Sequence, residues 1–205
     1  CNLSIDRKRS IYEALLKPEK AKNYTHKTKF GFDILSSKDD LFFFEDMMKQ
    51  HTDDGKIKTY LSDVLKTLSE YYDYVFIDCN PSVNQLMIEA IASTNGAILI
   101  TGELSETTID GINLILGIRK DVKNTSTLIP VYYLPIRVLS DKYNLQKLDA
   151  YRSILGSLML ETSIRDGLKE VSRYEDLHKA IINKRVSKVG SDYRALLEEL
   201  VRKGV

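Results

Sequence analysis

Three short apolar runs constrain the fold of this chain more than any other feature. They are Tyr74-Val75-Phe76-Ile77, Ala97-Ile98-Leu99-Ile100 and the stretch 128–134. Each is continuously apolar rather than alternating, which marks a strand covered on both faces and therefore a parallel sheet. Segments of helical periodicity lie between and around them. Residues 59–72 place Tyr60, Leu61, Val64, Leu65 and Leu68 on one side. Residues 84–93 carry Leu86, Ile88, Ala90 and Ile91, and residues 108–120 carry Ile109, Ile112 and Leu116. A long helix over 141–160 uses Leu145, Leu148, Ile154, Leu155 and Leu158. A short strand near 160–164 and a terminal helix over 192–202 follow. Residues 30–35 read as one more strand, and 23–29 and 51–58 as polar loops. Strand and helix alternating at this spacing predict βαβ units, an α/β fold with a mainly parallel sheet flanked by helices. No Gly/Ser-rich linker and no repeat divides the chain, so residues 1–205 are expected to form a single domain.

The composition supports a sizeable core, with 43% hydrophobic residues. Charges are balanced to a net of +1, so overall charge forces neither a nucleic-acid nor a membrane partner. The balance hides an asymmetry. Residues 116–205 hold 17 Lys/Arg against 11 Asp/Glu, and residues 1–115 hold 13 against 18. A basic half suggests a surface for a polyanion; scattered solvated charge is the plainer alternative. The two cysteines, Cys1 and Cys79, are too few and too far apart for a disulfide framework, which points to a reducing, cytoplasmic setting. Cys79 follows an apolar run and is expected to be buried. His26, His51 and His178 stand alone and read as surface or core histidines rather than metal ligands. No apolar run approaches the ~20 residues that cross a bilayer. Cys1 opens no targeting pattern.

Chemistry concentrates at Asp78. A buried strand that ends in one Asp is the pattern of a Walker B motif. The carboxyl ends of parallel strands face the ligand crevice, and a carboxylate there holds Mg²⁺, directly or through water, beside nucleotide phosphates. Asp78-Cys79-Asn80-Pro81-Ser82 then turns sharply, because Pro81 disfavours helical geometry at Asn80. Ser82 and Gln85 fit a capping box that opens the next helix. An ordinary strand-to-helix loop with a good cap would look the same.

The order of several segments carries a resemblance. The stretch from Tyr71 through Ile100 is similar to the ParA family's pattern of YDYIIIDTPPS, a helix, and a strand entering a P-x-E-x-x-S-x-x-G segment. That last segment corresponds here to Leu104-Ser105-Glu106-Thr107-Thr108-Ile109-Asp110-Gly111. Cys1-Asn2-Leu3-Ser4 resembles the tail of D-x-D-P-Q-x-N-x-S, and residues 10–16 resemble the family's "siyevL" helix. Residues 161–171 resemble T-x-I-x-x-x-x-x-K-E-A, and residues 187–200 resemble S-K-G-A-x-D-Y-R-A-L-A-E-E-L. The chain departs from the pattern at Asn80, where the family has Pro, and at Leu104 and Ser105, where it has Pro and Glu, though Glu106 sits one position on. The glycine-rich K-G-G-x-G-K-[ST] loop, which supplies phosphate-binding N–H groups and lysines, is not found in these 205 residues.

The resemblance implies a ParA/MinD-type P-loop NTPase fold of the deviant Walker class, with the N-terminal strand and P-loop upstream of Cys1. It implies an ATPase, inactive without that loop, using ATP and Mg²⁺. Dimerisation would depend on ATP, the homodimer would bind DNA without sequence preference, and a centromere-bound partner protein would stimulate hydrolysis. The setting would be cytoplasmic and nucleoid-associated, with plasmid or chromosome partition as the role. Asp78 would be the Mg²⁺-linked carboxylate and catalytic residue. Leu134 and Pro135, with Ser163 and Arg165, would lie on the adenine side. Candidate phosphate contacts for DNA are Arg137, Lys142, Arg165, Lys169, Arg173, Lys184, Arg185 and Lys188, each singly also readable as a solvated charge. Two rivals share the fold. One is a MinD-like membrane-associated ATPase, which needs Leu196, Leu197, Leu200 and Val201 exposed; packing of that helix on the sheet is the expectation here, with no membrane partner. The other is a degenerate homologue that only pairs with partners.

Overall fold

The computed structural model of the protein describes residues 9–37, 41, 44, 60–122, 129–176, 179–181 and 187–205. The chain divides into two compact units, Cys1–Thr94 and Asn95–Val205.

In the first unit, helix α1 (Ile11–Leu16) opens on Ser10. The Ser10 N–H donates to Glu13 Oε2 at 2.9 Å, one half of a capping box. Pro18 then starts a 3-10 helix, Pro18–Tyr24. Strands β1 (His26–Lys27) and β2 (Asp33–Ile34) pair antiparallel as a small hairpin. Helices α2 (Tyr60–Leu68) and α3 (Gln85–Ser93) complete the unit. Its core gathers Ala14, Leu15, Ala21, Phe44, Val64 and Leu68. Tyr12 and Tyr60 both meet the Phe44 ring edge-on. Lys22 Nζ pairs with Asp33 Oδ2 at 2.9 Å, and the Tyr72 hydroxyl donates to the same carboxylate. This network ties the 3-10 helix, the hairpin and the end of the α2 segment together. Glu89, 2% exposed, reaches from α3 to α2, where its Oε1 accepts the Leu61 N–H at 2.8 Å. Its Oε2 is buried with no hydrogen-bond partner among the described residues.

Five expectations need correction here. The run Tyr74 to Ile77 is not a buried strand. Residues 74–80 carry no strand pairing, and Phe76 is 89% exposed. A strand is held by a hydrogen-bonded neighbour, and none of the described strands pairs with this run, so the pattern alone does not bury it. Cys79, next to it, is exposed rather than buried. The strand read over 30–35 shrinks to Asp33–Ile34, because Gly31 at φ +89° turns the chain. The cap of α3 is Asn84, not the Ser82/Gln85 box. Asn84 Oδ1 accepts the Met87 N–H at 3.0 Å, and a short amide at that position satisfies the helix end by itself. The loop read over 23–29 contains the end of the 3-10 helix and β1. The loop read over 51–58 and the Cys1-Asn2-Leu3-Ser4 segment lie outside the described residues.

The second unit holds β3 (Ile98–Gly102), α4 (Glu106–Val122), β4 (Val131–Pro135), α5 (Lys142–Leu155), a 3-10 turn (Gly156–Leu158), α6 (Leu168–Asp176) and α7 (Lys188–Arg202). Strands β3 and β4 are parallel, in register from Ile98 opposite Val131 to Gly102 opposite Pro135, with α4 as the crossover. The predicted βαβ unit is present. A third extended segment runs beside β4, bridging Met159 to Tyr133 and Arg165 to Val138. It falls where the short strand near 160–164 was expected. Only β4 is buried as the parallel-strand pattern predicts. β3 alternates, with Leu99 39% exposed, as a strand does when one face is open to solvent. α5 stops at Leu155, where Gly156 takes φ +53°. α7 begins at Lys188, four residues before the expected start, because Ser187 Oγ accepts the Gly190 N–H at 2.8 Å. Leu196 of α7 joins Leu134, Leu160, Ile164 and Val189 in one core cluster, so this helix packs on the unit as expected.

Candidate functional site

The carboxyl ends of β3 and β4 meet at a tightly tied corner. Gly102 O accepts the Ile136 N–H at 2.9 Å. The Tyr133 hydroxyl, buried between the strands, donates to Gly102 O and Glu103 O at 3.0 and 3.1 Å. Burial holds this phenol's pKa well above its ordinary value. Thr108 Oγ1 donates to Glu103 O as well, at 2.8 Å. Glu103 then pairs with Arg137 at 3.1 Å, both side chains 61% exposed. Arg137 has φ +54°, the left-handed region that costs a residue with a Cβ about 1–2 kcal/mol. The five-residue neighbourhood of hydrogen bonds holds it there.

The four residues expected on the adenine side are brought together here. Pro135 O accepts the Ile164 N–H at 2.8 Å, and Ile164 O accepts the Val138 N–H at 3.1 Å. Residues 134–138 and 163–165 thus form one backbone edge at the crevice end of the sheet. The side chains contribute unequally. Leu134 is 2% exposed and Pro135 is fully buried, so both serve the core and offer only backbone to a ligand. Ser163 is half-buried. Arg165 is committed elsewhere. Its Nε and Nη2 donate to Asp192 at 2.7 and 2.6 Å, and its N–H donates to the same carboxylate at 3.1 Å. A bidentate pair of this kind is a tie between α7 and the 163–165 segment, not a free cation.

The same segment is tied a second time. Glu199, 1% exposed, accepts the Glu161 and Thr162 N–H groups, each at 2.8 Å. Burial pushes its carboxyl up, but these two donors and Lys203 outweigh it and leave the pKa below the ordinary value. Sequence reasoning did not single out Glu103, Tyr133, Asp192 or Glu199. Glu198 and Glu199 are adjacent and identical, so only burial separates the exposed one from the structural one.

Asp78 lies in the exposed stretch 74–80 and not at the end of a strand. No group of three or more His, Cys, Asp or Glu able to hold a metal occurs among the described residues. The candidate DNA contacts among the described residues come from several elements. Arg137 is paired at the strand ends, and Lys142 and Lys188 are exposed at the first positions of α5 and α7. Lys169 and Arg173 are exposed four residues apart on α6, and so on one face. Lys184 and Arg185 lie outside the described residues.

The corner offers an edge of backbone groups, and its Arg137 side chain already faces Glu103.

Comparison with known proteins agrees with this architecture. Residues 2–129 match the AAA domain family AAA_31. The chromosome partitioning protein ParA of Myxococcus xanthus is 25% identical over 133 residues, covering 60% of this chain and 45% of that protein. The solved structure of a partition protein superposes with a TM-score of 0.61 at 14% identity, over 81% of this chain and 56% of that one. The chain therefore belongs to the AAA_31 family, a ParA-like P-loop family. Its fold is that of a P-loop NTPase. It spans about half the length of the relatives it matches.

Proposed function

We propose that the chain works in a ParA-type partition ATPase, in which ATP drives homodimerisation and the dimer binds DNA without sequence preference. The family match over residues 2–129, with a ParA as relative, carries this reading. A centromere-bound partner protein would stimulate hydrolysis, and the complex would be cytoplasmic and associated with the nucleoid. The segment 134–137 with 163–165 would border the adenine. Asp78 would hold Mg²⁺ through water once the stretch 74–78 is paired as a strand. The phosphates would be held by a glycine-rich loop that these 205 residues do not contain. DNA would be met by Lys169 and Arg173 on α6, with Lys142, Lys184, Arg185 and Lys188 as further phosphate contacts.

The test has two arms. Titration calorimetry of this chain with Mg-ATP should show no binding in the low micromolar range, about −8 kcal/mol. In a protein joining this chain to its glycine-rich loop, Asp78→Ala should abolish Mg²⁺-dependent turnover. Turnover kept within about twofold of wild type, ~0.4 kcal/mol in barrier, would refute the role of Asp78.

One observation favours a second reading, the MinD-like membrane-associated ATPase. Tyr193, Leu197 and Val201 recur at intervals of four on α7 and are 41%, 57% and 60% exposed, although Leu196 is packed. Sedimentation with anionic liposomes separates the readings.

A further inference from the structure

The β1–β2 hairpin carries a feature that partition chemistry does not use. Its tip, residues 28–32, is cross-linked by hydrogen bonds. The Thr28 N–H and Oγ1 both donate to Phe32 O, at 3.1 and 2.6 Å. The Phe30 N–H donates back to Thr28 Oγ1 at 3.2 Å. Gly31 supplies the left-handed turn. This loop holds the rings of Phe30 and Phe32 stacked, with centroids 6.2 Å apart and planes 15° from parallel. Phe32 is 52% exposed, so one side of the stack opens to solvent. Lys29 Nζ lies 5.2 Å from the Phe30 centroid.

Charge is concentrated at the same place. Lys17, Lys20, Lys27 and Lys29 are exposed in and before the hairpin. Residues 17–29 hold five lysines, Lys22 included, against Glu19 alone. Residues 38–94 of the same unit hold five lysines against eleven Asp/Glu. An apolar tip with no functional use would gain nothing from this local reversal of sign.

We propose that the hairpin tip is a stacking site for the unpaired bases of a single-stranded nucleic acid, with Phe32 receiving a base and Lys27 and Lys29 meeting the flanking phosphates. Every base has a π-face, so such a platform tolerates any sequence, while lysines track the backbone. A duplex keeps its bases stacked inside and gives Phe32 no partner. A bilayer is a weaker fit, since insertion strength scales with buried apolar area and this tip offers little more than one phenyl ring. The inference needs no bound ATP and stands apart from the partition reading.

Fluorescence anisotropy of this chain with labelled oligothymidine, and with a duplex of random sequence, tests it. Phe32→Ala should weaken oligothymidine binding roughly tenfold or more and leave duplex binding unchanged. Phe32→Trp should keep binding within about twofold, and its emission should be quenched as oligothymidine is added. Lys27→Gln with Lys29→Gln should flatten the salt dependence. Circular dichroism confirms that each variant is folded. The proposal is overturned if Phe32→Ala binds oligothymidine as wild type does, if wild type does not bind it, or if the variant loses duplex and oligothymidine alike. Phe32-dependent uptake by phosphatidylserine vesicles without oligothymidine binding would overturn it in favour of a membrane. Wild-type binding of oligothymidine with no binding of the duplex would instead support the stacking site while counting against the partition reading.

Discussion

Among the described residues each unit of this chain buries one glutamate almost completely, and the two respond in opposite directions. Glu199 in the second unit is 1% exposed and its pKa lies below the ordinary value. Glu89 in the first unit is 2% exposed and its pKa lies above it. Burial disfavours the charge at both sites. Glu199 answers it with two backbone N–H donors, one on each oxygen, and with Lys203 at 3.9 Å. Glu89 has one donor, Leu61, and a second oxygen that meets none among the described residues, with the Asp63 charge adding repulsion. The number of donors, not the depth, decides whether a buried carboxylate is held charged. Glu199 thereby fixes the 161–162 segment that leads into the candidate base-binding edge. Glu89 only joins two helices.

The largest effect expected from this difference is at Glu199. Replacing it by Gln sets an amide donor against two N–H donors and should cost about 2–3 kcal/mol. Hydrogen exchange at the Glu161 and Thr162 amides should speed up by about 30-fold or more. The pH dependence has a definite sign. A carboxyl held below its unfolded value stabilises fully above that value, about 4.3, and loses its contribution as pH falls through the lower folded value. Protection at Glu161 and Thr162 should therefore fade in acid for wild type, and Glu199→Gln should remove that dependence. Unchanged protection in the variant would break the comparison.

Tyr133 is the neutral counterpart, a buried donor shared by two carbonyls. Tyr133→Phe should cost about 1 kcal/mol in chemical denaturation, less than Glu199→Gln because no charge is involved. A cost equal to that of Glu199→Gln would show that charge is not what makes the second unit's tie strong.

Glu89→Gln should have the smallest effect, under about 1 kcal/mol, and at neutral pH it should stabilise. The amide oxygen can still accept the Leu61 N–H while the buried charge is gone. The linkage runs opposite to that of Glu199. A carboxyl with a raised folded pKa carries no penalty below its unfolded value and gains one as pH rises through that value toward the folded one. Wild type should lose some protection at Leu61 between acid and neutral pH, and the variant should not. Destabilisation beyond 1 kcal/mol at neutral pH would put the two glutamates in the same class.

How legible the chain was differs between the units. In the second, the βαβ order, the parallel pairing of 98–102 with 131–135 and the helices α4, α5 and α7 follow from periodicity. The adjacency of 134–135 with 163–165 follows from the family resemblance. In the first, the helices were readable but the run 74–77 was not, because hydropathy records what a strand would bury and not whether a neighbour is there to pair with it. The roles of Arg165 and Glu199 were hidden for a related reason. Their partners, Asp192 and the amides of residues 161–162, lie some 27 to 38 positions away along the chain.

What the sequence by itself determined is the local grammar of the molecule and its kinship. Periodicity set the helices, apolar runs set which segments are able to be strands, and ordered motifs set the ParA-like family. Tertiary structure alone decided which of those strands found a ladder, which of two adjacent glutamates turned inward, and which arginine became a tie rather than a contact for phosphate. The physical reason is that side-chain propensity acts over a turn of helix or a pair of residues. Hydrogen-bond satisfaction is instead settled only when distant segments meet.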